Sequence, residues 1–482
     1  MHTVYVIART TPAKLPNKCS PNQSMWPIML MLSLILTLPC ASIAQRTSTK
    51  GTDFWLTFMQ NSFTPRLYLF FGADSAATAT VRIGSTVLAT VTIPAKSNVA
   101  YEVTDLNAYI RGSDQVAAGK GIHVTSNKPI TVCAFNTENQ STDAAIVYPT
   151  MSLGDEYYLA SYQHFQRDDW ASQGAIVGTK DGTMVEIIPK AAVARPAGAA
   201  RPAGVAYTIT LNRGDVYQFQ SEFPNEDLSG TRIRVVSGAG DCGSIAVFGG
   251  HQRTPVPSTS SFSRDHLIEQ MPPWWSLGKT FVVPPMASAI RYVIRVISTE
   301  PSTTVTLAGV PTLLTQAGSV LERTVAADAA YLITTDKPVI TTWLGMTWTD
   351  GFDLVKGVGD PFMIVVPPVE QRIKTFTFTA FVPPTTTVQP FVDQWKNNLY
   401  LTLIGEPSEL EATTVDDISV ASIRGRTTAP VVVTSTNVNP QLSCVVIRVD
   451  EGVHAVDASK GSGAIGIMYG LSALDSYGFV AG

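Results

Sequence analysis

His123-Val124-Thr125-Ser126-Asn127-Lys128-Pro129-Ile130-Thr131-Val132 returns later in the chain as Leu332-Ile333-Thr334-Thr335-Asp336-Lys337-Pro338-Val339-Ile340-Thr341. β-Branched residues flank both copies, and Asn or Asp followed by Lys-Pro interrupts them. The pattern reads as strand, tight turn, strand, with the proline at a strand head where no ladder donor is needed. A third copy is Arg232 to Ser237, then Gly238 to Gly243, then Ser244 to Phe248. A fourth, weaker copy is Gly452 to Val456, a turn at Ser459 to Gly463, and Ala464 to Ile467. Upstream of the first three stand the matching pieces Ala79 to Ile83, Thr183 to Ile187 and Thr303 to Leu307. Repetition on this scale marks tandem units. It predicts four of them, at 45–165, 166–287, 288–387 and 388–482.

The sequence between the copies has the same texture. Leu67 to Phe71, Val87 to Ile93 and Asn98 to Val103 are short β-branched or aromatic runs, punctuated by Gly84, Pro94 and Asp105. No window carries an apolar stripe of helical period bounded by caps. The expected fold class is all-β, built of tandem related β-sandwich-like units; a propeller-like ring of small blades is the alternative arrangement of the same strands. One stretch departs from this texture. Ala191 to Gly204 contains Ala-Arg-Pro-Ala-Gly twice and reads as a hairpin insertion too rich in Pro and Gly to pack, hence a mobile surface loop.

Composition narrows the class further. Of 482 residues 45% are hydrophobic and 15% charged, against about 25% charged in an average soluble domain. That balance excludes a disordered chain, and no Lys/Arg cluster is dense enough to neutralise a run of phosphates, which excludes a nucleic-acid partner. Residues 1–44 hold Arg9, Lys14, Lys18 and no acid, and Trp26 to Pro39 is an uncharged run of 14 residues. Such a run is shorter than the about 20 residues a membrane span needs and suits the apolar core of a secretory signal. Ala41-Ser42-Ile43-Ala44 then offers small residues for a cut near Ala44-Gln45; Met25 is a second candidate start. The expectation is an exported protein, secreted or at the cell surface, whose mature chain has no membrane-spanning segment. Without Arg9, Lys14 and Lys18, 31 basic and 38 acidic side chains remain, a net charge of −7. Cys133, Cys242 and Cys444 are the cysteines left, too few for a disulfide framework and unsuited in spacing to zinc. Buried free thiols are the plain reading, and one disulfide with a leftover thiol is the alternative.

Several motifs, in order, resemble the IgGFc-binding protein N-terminal domain family. They are Lys50-Gly51-Thr52-Asp53-Phe54-Trp55-Leu56-Thr57-Phe58, Gly121 to Ile130, Ser141-Thr142-Asp143-Ala144, Leu153 to Tyr158, Asp265-His266-Leu267-Ile268-Glu269-Gln270-Met271-Pro272-Pro273, and Asp475-Ser476-Tyr477-Gly478-Phe479. The resemblance implies an extracellular or surface module and supplies no catalytic residues. It also implies a cysteine just before Asp265-His266-Leu267, pairing near Cys242; Ser263-Arg264 stand there instead.

Motifs for chemistry are sparse. No His-Glu-x-x-His, Gly-x-Ser-x-Gly or phosphate-binding loop occurs, and no cofactor is expected. His123 and His454 occupy equivalent repeat positions, which points to a structural role at strand ends. Asp265, His266 and Glu269 form a compact titratable trio. They read as an acid–base pair in a cleft or, more plainly, as a loop anchor beside Pro272-Pro273. Asp168-Asp169 and Asp416-Asp417 read as turn residues rather than the flanking carboxylates of a glycosidase. Asp350, Asp353 and Asp360 are weak candidates for calcium, lacking the alternating pattern of a calcium loop. Trp274 and Trp275 are weak candidates for a binding surface, since exposed indoles stack on sugars or anchor interfaces.

The function expected from the sequence is a non-catalytic binding or adhesion module for an extracellular protein or glycan. The alternatives are a secreted carbohydrate-active enzyme using paired carboxylates and a structural envelope or matrix component.

Overall fold

The computed structural model describes residues 49–138, 140–163, 170–223, 225–237, 243–260, 263–355, 357–424, 431–435 and 442–482. The expected signal segment, Cys242 and Asp168-Asp169 lie outside them.

The repeated decapeptide folds differently from its sequence reading. In the first and third units it forms continuous strands, Ile122–Glu138 and Tyr331–Gly345. Asn-Lys-Pro and Asp-Lys-Pro do not reverse the chain; they pass it from one set of partner strands to another within a seven-stranded sheet. The early half of Ile122–Glu138 pairs with Ala77–Ile83 and most of Lys50–Leu56, and the later half pairs with Arg66–Ala73 and Ser141–Val147. Pro129 has no N–H, so the ladder breaks there and is free to change partners. Asn127 Oδ1 accepts the Thr78 N–H at 2.8 Å, and Ser126 Oγ donates to Lys128 O at 2.7 Å. The third unit repeats both bonds: Asp336 Oδ1 accepts from Thr304 N at 2.8 Å, and Thr335 Oγ1 donates to Lys337 O at 2.7 Å. Asn127→Ala, or Asp336→Ala, is therefore expected to cost about 1 kcal/mol, one exposed hydrogen bond, in a urea unfolding curve. In the second and fourth units the strand is divided, into Arg232–Ser237 and Ile245–Thr254, and into Gly452–Asp457 and Ile465–Ser472.

One pairing scheme thus occurs four times along the chain. An outer layer of strands pairs with the early half of the long strand, and an inner layer pairs with the later half and ends on the last strand of the unit. The layers are joined in one seven-stranded sheet in the first and third units and are separate sheets in the second and fourth. Outer strands such as Ala77–Ile83 and Thr303–Leu307 alternate buried and half-buried residues, because one face meets water. Inner strands such as Arg66–Ala73 and Arg291–Ser298 are buried on both faces after their first residue; the former is a near-continuous apolar run, and the latter is interrupted by Arg295. The four last strands, Ser141–Val147, Asp265–Gln270, Phe362–Val366 and Asp475–Val480, pack each against the next and the fourth against the first. The two arrangements left open by the sequence are combined: each unit is sandwich-like, and the units close a ring around a hub.

The ring is one compact body, residues 45–482. One core cluster runs from Phe54 to Ala481, and the second joins residues of the second unit to Val293, Ile297, Met363 and Val365. Gln115–Ala117 pairs with Val216–Gln220, so a strand of one unit extends the sheet of the next. Between the second and third units the backbones touch at Gly230 and Gly318. Both have positive φ (+88° and +74°), and a Cβ on Gly230 would sit 2.4 Å from Gly318 O, so only glycine fits. Beside them Arg295 is buried; Nη1 donates to Ser161 O at 2.6 Å and Ser229 Oγ at 3.0 Å, and Nη2 pairs with Asp227. Its Nε lies 3.1 Å from Glu322 Oε2, an ion-pair contact without hydrogen-bond alignment. The first and fourth units close on stacked rings: Phe70 and Phe381 at 3.7 Å, then Phe381 and Tyr477 at 4.3 Å.

Two further sequence readings change. The Ala191 to Gly204 insertion lies at the surface as expected, with Arg195 to Ala199 and Pro202 to Gly204 exposed, but it is packed at its base: Val193 is buried and bridges Arg201 and Ser221. Its two Ala-Arg-Pro repeats place Arg195 and Arg201 on one carboxylate, Asp114, at 2.8 and 2.6 Å. A few short helices also interrupt the strands. Gln389–Asn397 starts with a proline in its first turn and buries Trp395 against Tyr477. Among the described residues no helix is long and apolar enough to cross a membrane.

Candidate functional site

Each of the four hub strands carries an acid at or next to its beginning: Asp143, Asp265, Asp360 and Asp475. The antiparallel scheme brings these ends together. Asp143 Oδ1 accepts the Ala144 N–H at 2.8 Å, and Oδ2 accepts Ile268 N at 3.1 Å and Met363 N at 3.3 Å. The Gly478 N–H also bonds to this carboxyl, so one side chain touches backbone of all four hub strands. Asp265 Oδ1 accepts from Thr142 N and from His266 N. Asp360 Oδ1 accepts from Ser263 Oγ, and the Asp360 N–H donates to Ser476 Oγ at 2.8 Å. One oxygen each of Asp265, Asp360 and Asp475 is enclosed without a hydrogen-bond partner. Burial raises the pKa of Asp265 well above the usual carboxylate range, with Asp475 and Asp360 adding like charge. Burial likewise pushes Asp360 up to about 8 and Asp475 up to about 7. Glu269 lies deeper, accepts the Val365 N–H at 3.3 Å, and is also raised by burial and by Asp143.

The trio singled out in the sequence is therefore placed on a strand, not on a loop, and is sealed. Asp265 and Glu269 are 0% and 1% exposed on one face of Asp265–Gln270. His266 lies between them on the other face. Its Nδ1 is 3.1 Å from Gln252 O and its Nε2 is 3.3 Å from Asn136 Nδ2. Burial lowers its pKa to about 4, so the ring is neutral at physiological pH, donating from Nδ1 and accepting at Nε2. The Asp265 carboxylate holds backbone N–H groups rather than orienting this ring.

The other candidates are dispersed. Asp350 Oδ2 accepts from Ser260 Oγ at 2.6 Å, Asp353 Oδ1 accepts from Val355 N at 2.9 Å, and Asp360 belongs to the hub. Among the described residues no group of three or more His, Cys, Asp or Glu is placed to hold a metal ion. Trp274 and Trp275 form a single 3₁₀ turn after Pro273 at the end of the ring opposite the four acids. Trp274 is 41% exposed, whereas Trp275 is half-buried against Gly154. Cys133 and Cys444 are buried free thiols, their pKa values raised by desolvation. His123 pairs with Asp53 at 2.8 Å and stacks on Trp55, and His454 pairs with Asp416 at 2.6 Å. Asp416 and Asp417 both take positive φ in a turn.

The loops leading into the hub strands share one end of the ring with the loops that follow the first strand of each unit. Ser260 bonds Asp350 across units there, and Ile290 N donates to Gly351 O at 2.6 Å. Phe63 (61% exposed), Ile290, Leu354, Val355 (95% exposed) and Val388 project from these loops, and Phe391 from the first turn of the helix Gln389–Asn397 that follows one of them. Phe63 meets Trp170 edge-on, and Arg253 lies over the same indole at 5.3 Å. This face and the hub role of Asp143 and Asp475 were missed in the sequence. A usable signal was there: in every unit an acid stands at the head of the last apolar run.

The scaffold is thus an all-β ring with Asp143, Asp265 and Asp360 sealed in its hub and apolar side chains displayed at its loop end. The chain belongs to the IgGFc binding protein family, whose model matches residues 143–470. The Lys50–Phe58, Gly121–Ile130 and Asp475–Phe479 motifs lie outside that match, and Ser141–Ala144 straddles its start. The chain is 24% identical over 290 residues to a Homo sapiens protein named IgGFc-binding protein, a match covering 59% of this chain and 5% of that protein. It therefore spans only a small fraction of that relative's length. A GH78 family rhamnosidase of Bacillus sp. GL1 aligns over 73% of this chain and 56% of its own at 10% identity, and its TM-score of 0.13 carries no argument.

Proposed function

We propose that this chain is a secreted or cell-surface binding module that recognises a macromolecular ligand, a glycoprotein or another surface protein, without catalysing a reaction on it. The observation that supports this reading most is the loop end of the ring. Exposed apolar side chains from the first, third and fourth units share it, while the titratable trio is sealed behind hub strands. Central apolar and aromatic anchors of this kind carry most of the energy in protein interfaces. Export is supported by the basic, then apolar, then small-residue pattern of residues 1–44. The human relative's name makes immunoglobulin Fc the first ligand to try.

The test is a solid-phase panel in which the purified protein meets immobilised Fc, mucin and glycans, with and without calcium, with released reducing sugar assayed in the same wells. Saturable binding without product is the expected result; product release overturns the non-catalytic reading. Phe63→Ser and Val355→Ser are each expected to weaken binding about tenfold or more, with Trp274→Ser at the opposite end leaving it unchanged. Loss of binding in Trp274→Ser alone would move the surface to the other end.

A further inference from the structure

At the seam where the fourth unit meets the first, a cavity of about 390 Å³ opens on the loop end, within the usual size range for small-ligand sites. Arg66 and Glu138 come from the first unit, and threonines 385–387, Phe391, Trp395 and Asp475 from the fourth. The lining is dominated by hydroxyls, because Thr64 and Ser472 join the three consecutive threonines. A hydroxyl both donates and accepts, so such a wall can meet a ligand that does the same at every position. Phe391 is 44% exposed and offers an apolar ring face. Trp395 behind it is held against Tyr477 with ring centres 5.4 Å apart, which makes this wall rigid.

The charges narrow the ligand further. The Arg66 guanidinium is already taken by Glu102 through two bonds of 2.8 Å, and the Glu138 carboxyl faces the same space, so an anionic ligand has no free countercharge. A purely apolar ligand would strip water from Glu138 and Arg66 without replacing it. A cation would find the Glu138 carboxyl but would sit beside Arg66. A neutral polyol with one apolar face fits every wall: its hydroxyls pair with carboxyl and threonine oxygens, and its C–H face covers Phe391. We propose that this inter-unit cavity binds a pyranose residue of a neutral glycan. The proposal rests on the reading of the chain as a binding module and names part of what it recognises.

Saturation-transfer NMR on the purified protein tests it, with methyl α-mannopyranoside, methyl β-galactopyranoside, N-acetylglucosamine and the cationic peptide acetyl-Lys-Arg-amide as separate probes. Transfer to at least one sugar is expected, and Phe391→Ala and Thr386→Val should each weaken it at least tenfold with an unchanged Tm. Silence from every sugar, transfer that survives both variants, or transfer to the cationic peptide alone would each overturn the proposal. The two readings fail separately. Retained binding of a deglycosylated protein in the solid-phase panel keeps the module when the sugar site falls. Sugar transfer with no macromolecule bound keeps the cavity when the larger reading falls.

Discussion

Asp143→Ala is expected to lower the unfolding free energy by about 3 kcal/mol or more, measured from the shift of the chemical denaturation midpoint. The Asp143 carboxyl accepts N–H groups from Ala144, Ile268 and Met363, and also bonds that of Gly478. These lie on four different strands. Alanine leaves all four donors buried, and an unsatisfied buried donor costs about 1–3 kcal/mol. Two effects reduce the sum: the buried carboxyl itself carries a desolvation penalty that its removal relieves, and water can enter part of the space. The donors outnumber that relief. Against a typical total of about 5–15 kcal/mol the loss is large. Asp143→Asn keeps one acceptor oxygen and should fall between alanine and the parent protein. An alanine variant within about 1 kcal/mol of the parent would show that the hub is held by packing alone.

The second large effect concerns pH. Unfolded aspartates titrate near 3.9, whereas in the ring Asp360 is raised to about 8 and Asp475 to about 7, chiefly by burial, with Asp265 raised as well. The native state then binds more protons than the unfolded state between about pH 4 and pH 8. By linkage its stability is greatest at the acid side of that window and falls as pH rises through the native pKa values, levelling above them. Each independently shifted group contributes at most about 1.4 kcal/mol per pH unit; these three interact and titrate as a set, so the combined slope is smaller than three times that figure. The charges facing them are few. Arg253 favours ionisation of Asp360 and Asp475, while Asp143 adds repulsion at Asp265. Exposed pairs work in the opposite sense. Salt-bridged Glu102 and Asp74 have lowered pKa values, and their stabilisation disappears as pH falls below the carboxylate range. Thermal unfolding should therefore show a maximum near pH 5 and a decline towards pH 8. Asp360→Asn should flatten that decline, and a parent profile that rises from pH 5 to pH 8 would contradict the account.

Much of the fold was legible because strand patterns are local. The alternation in Thr303 to Leu307, the unbroken apolar run of Leu67 to Phe71 and the repeated His123 to Val132 motif each state their own period within a few residues. The error at Asn127-Lys128-Pro129 was instructive. The residue types suit a turn, but here the Asn127 side chain holds the neighbouring Thr78 N–H, and the chain runs straight on. Local composition states that the ladder breaks; only the neighbouring sheets state where the chain goes next. The packed insertion follows the same logic, since Arg195 and Arg201 find Asp114 across a sequence gap that no local pattern reports.

The sequence by itself determined the all-β class, the family resemblance and the expectation of export. Each rests on the order of residues within one short segment. Whether a given acid works, binds or merely holds the ring was decided by tertiary structure alone. Asp265 reads as a loop anchor or a cleft acid in sequence, and becomes a sealed hub residue because strands from three other units close around it. Phe63 and Phe391 are ordinary loop residues in sequence, and the ring places both on the loop end, where they can be used. Burial and proximity are set by contacts between units hundreds of residues apart, and no spacing along the chain encodes those distances.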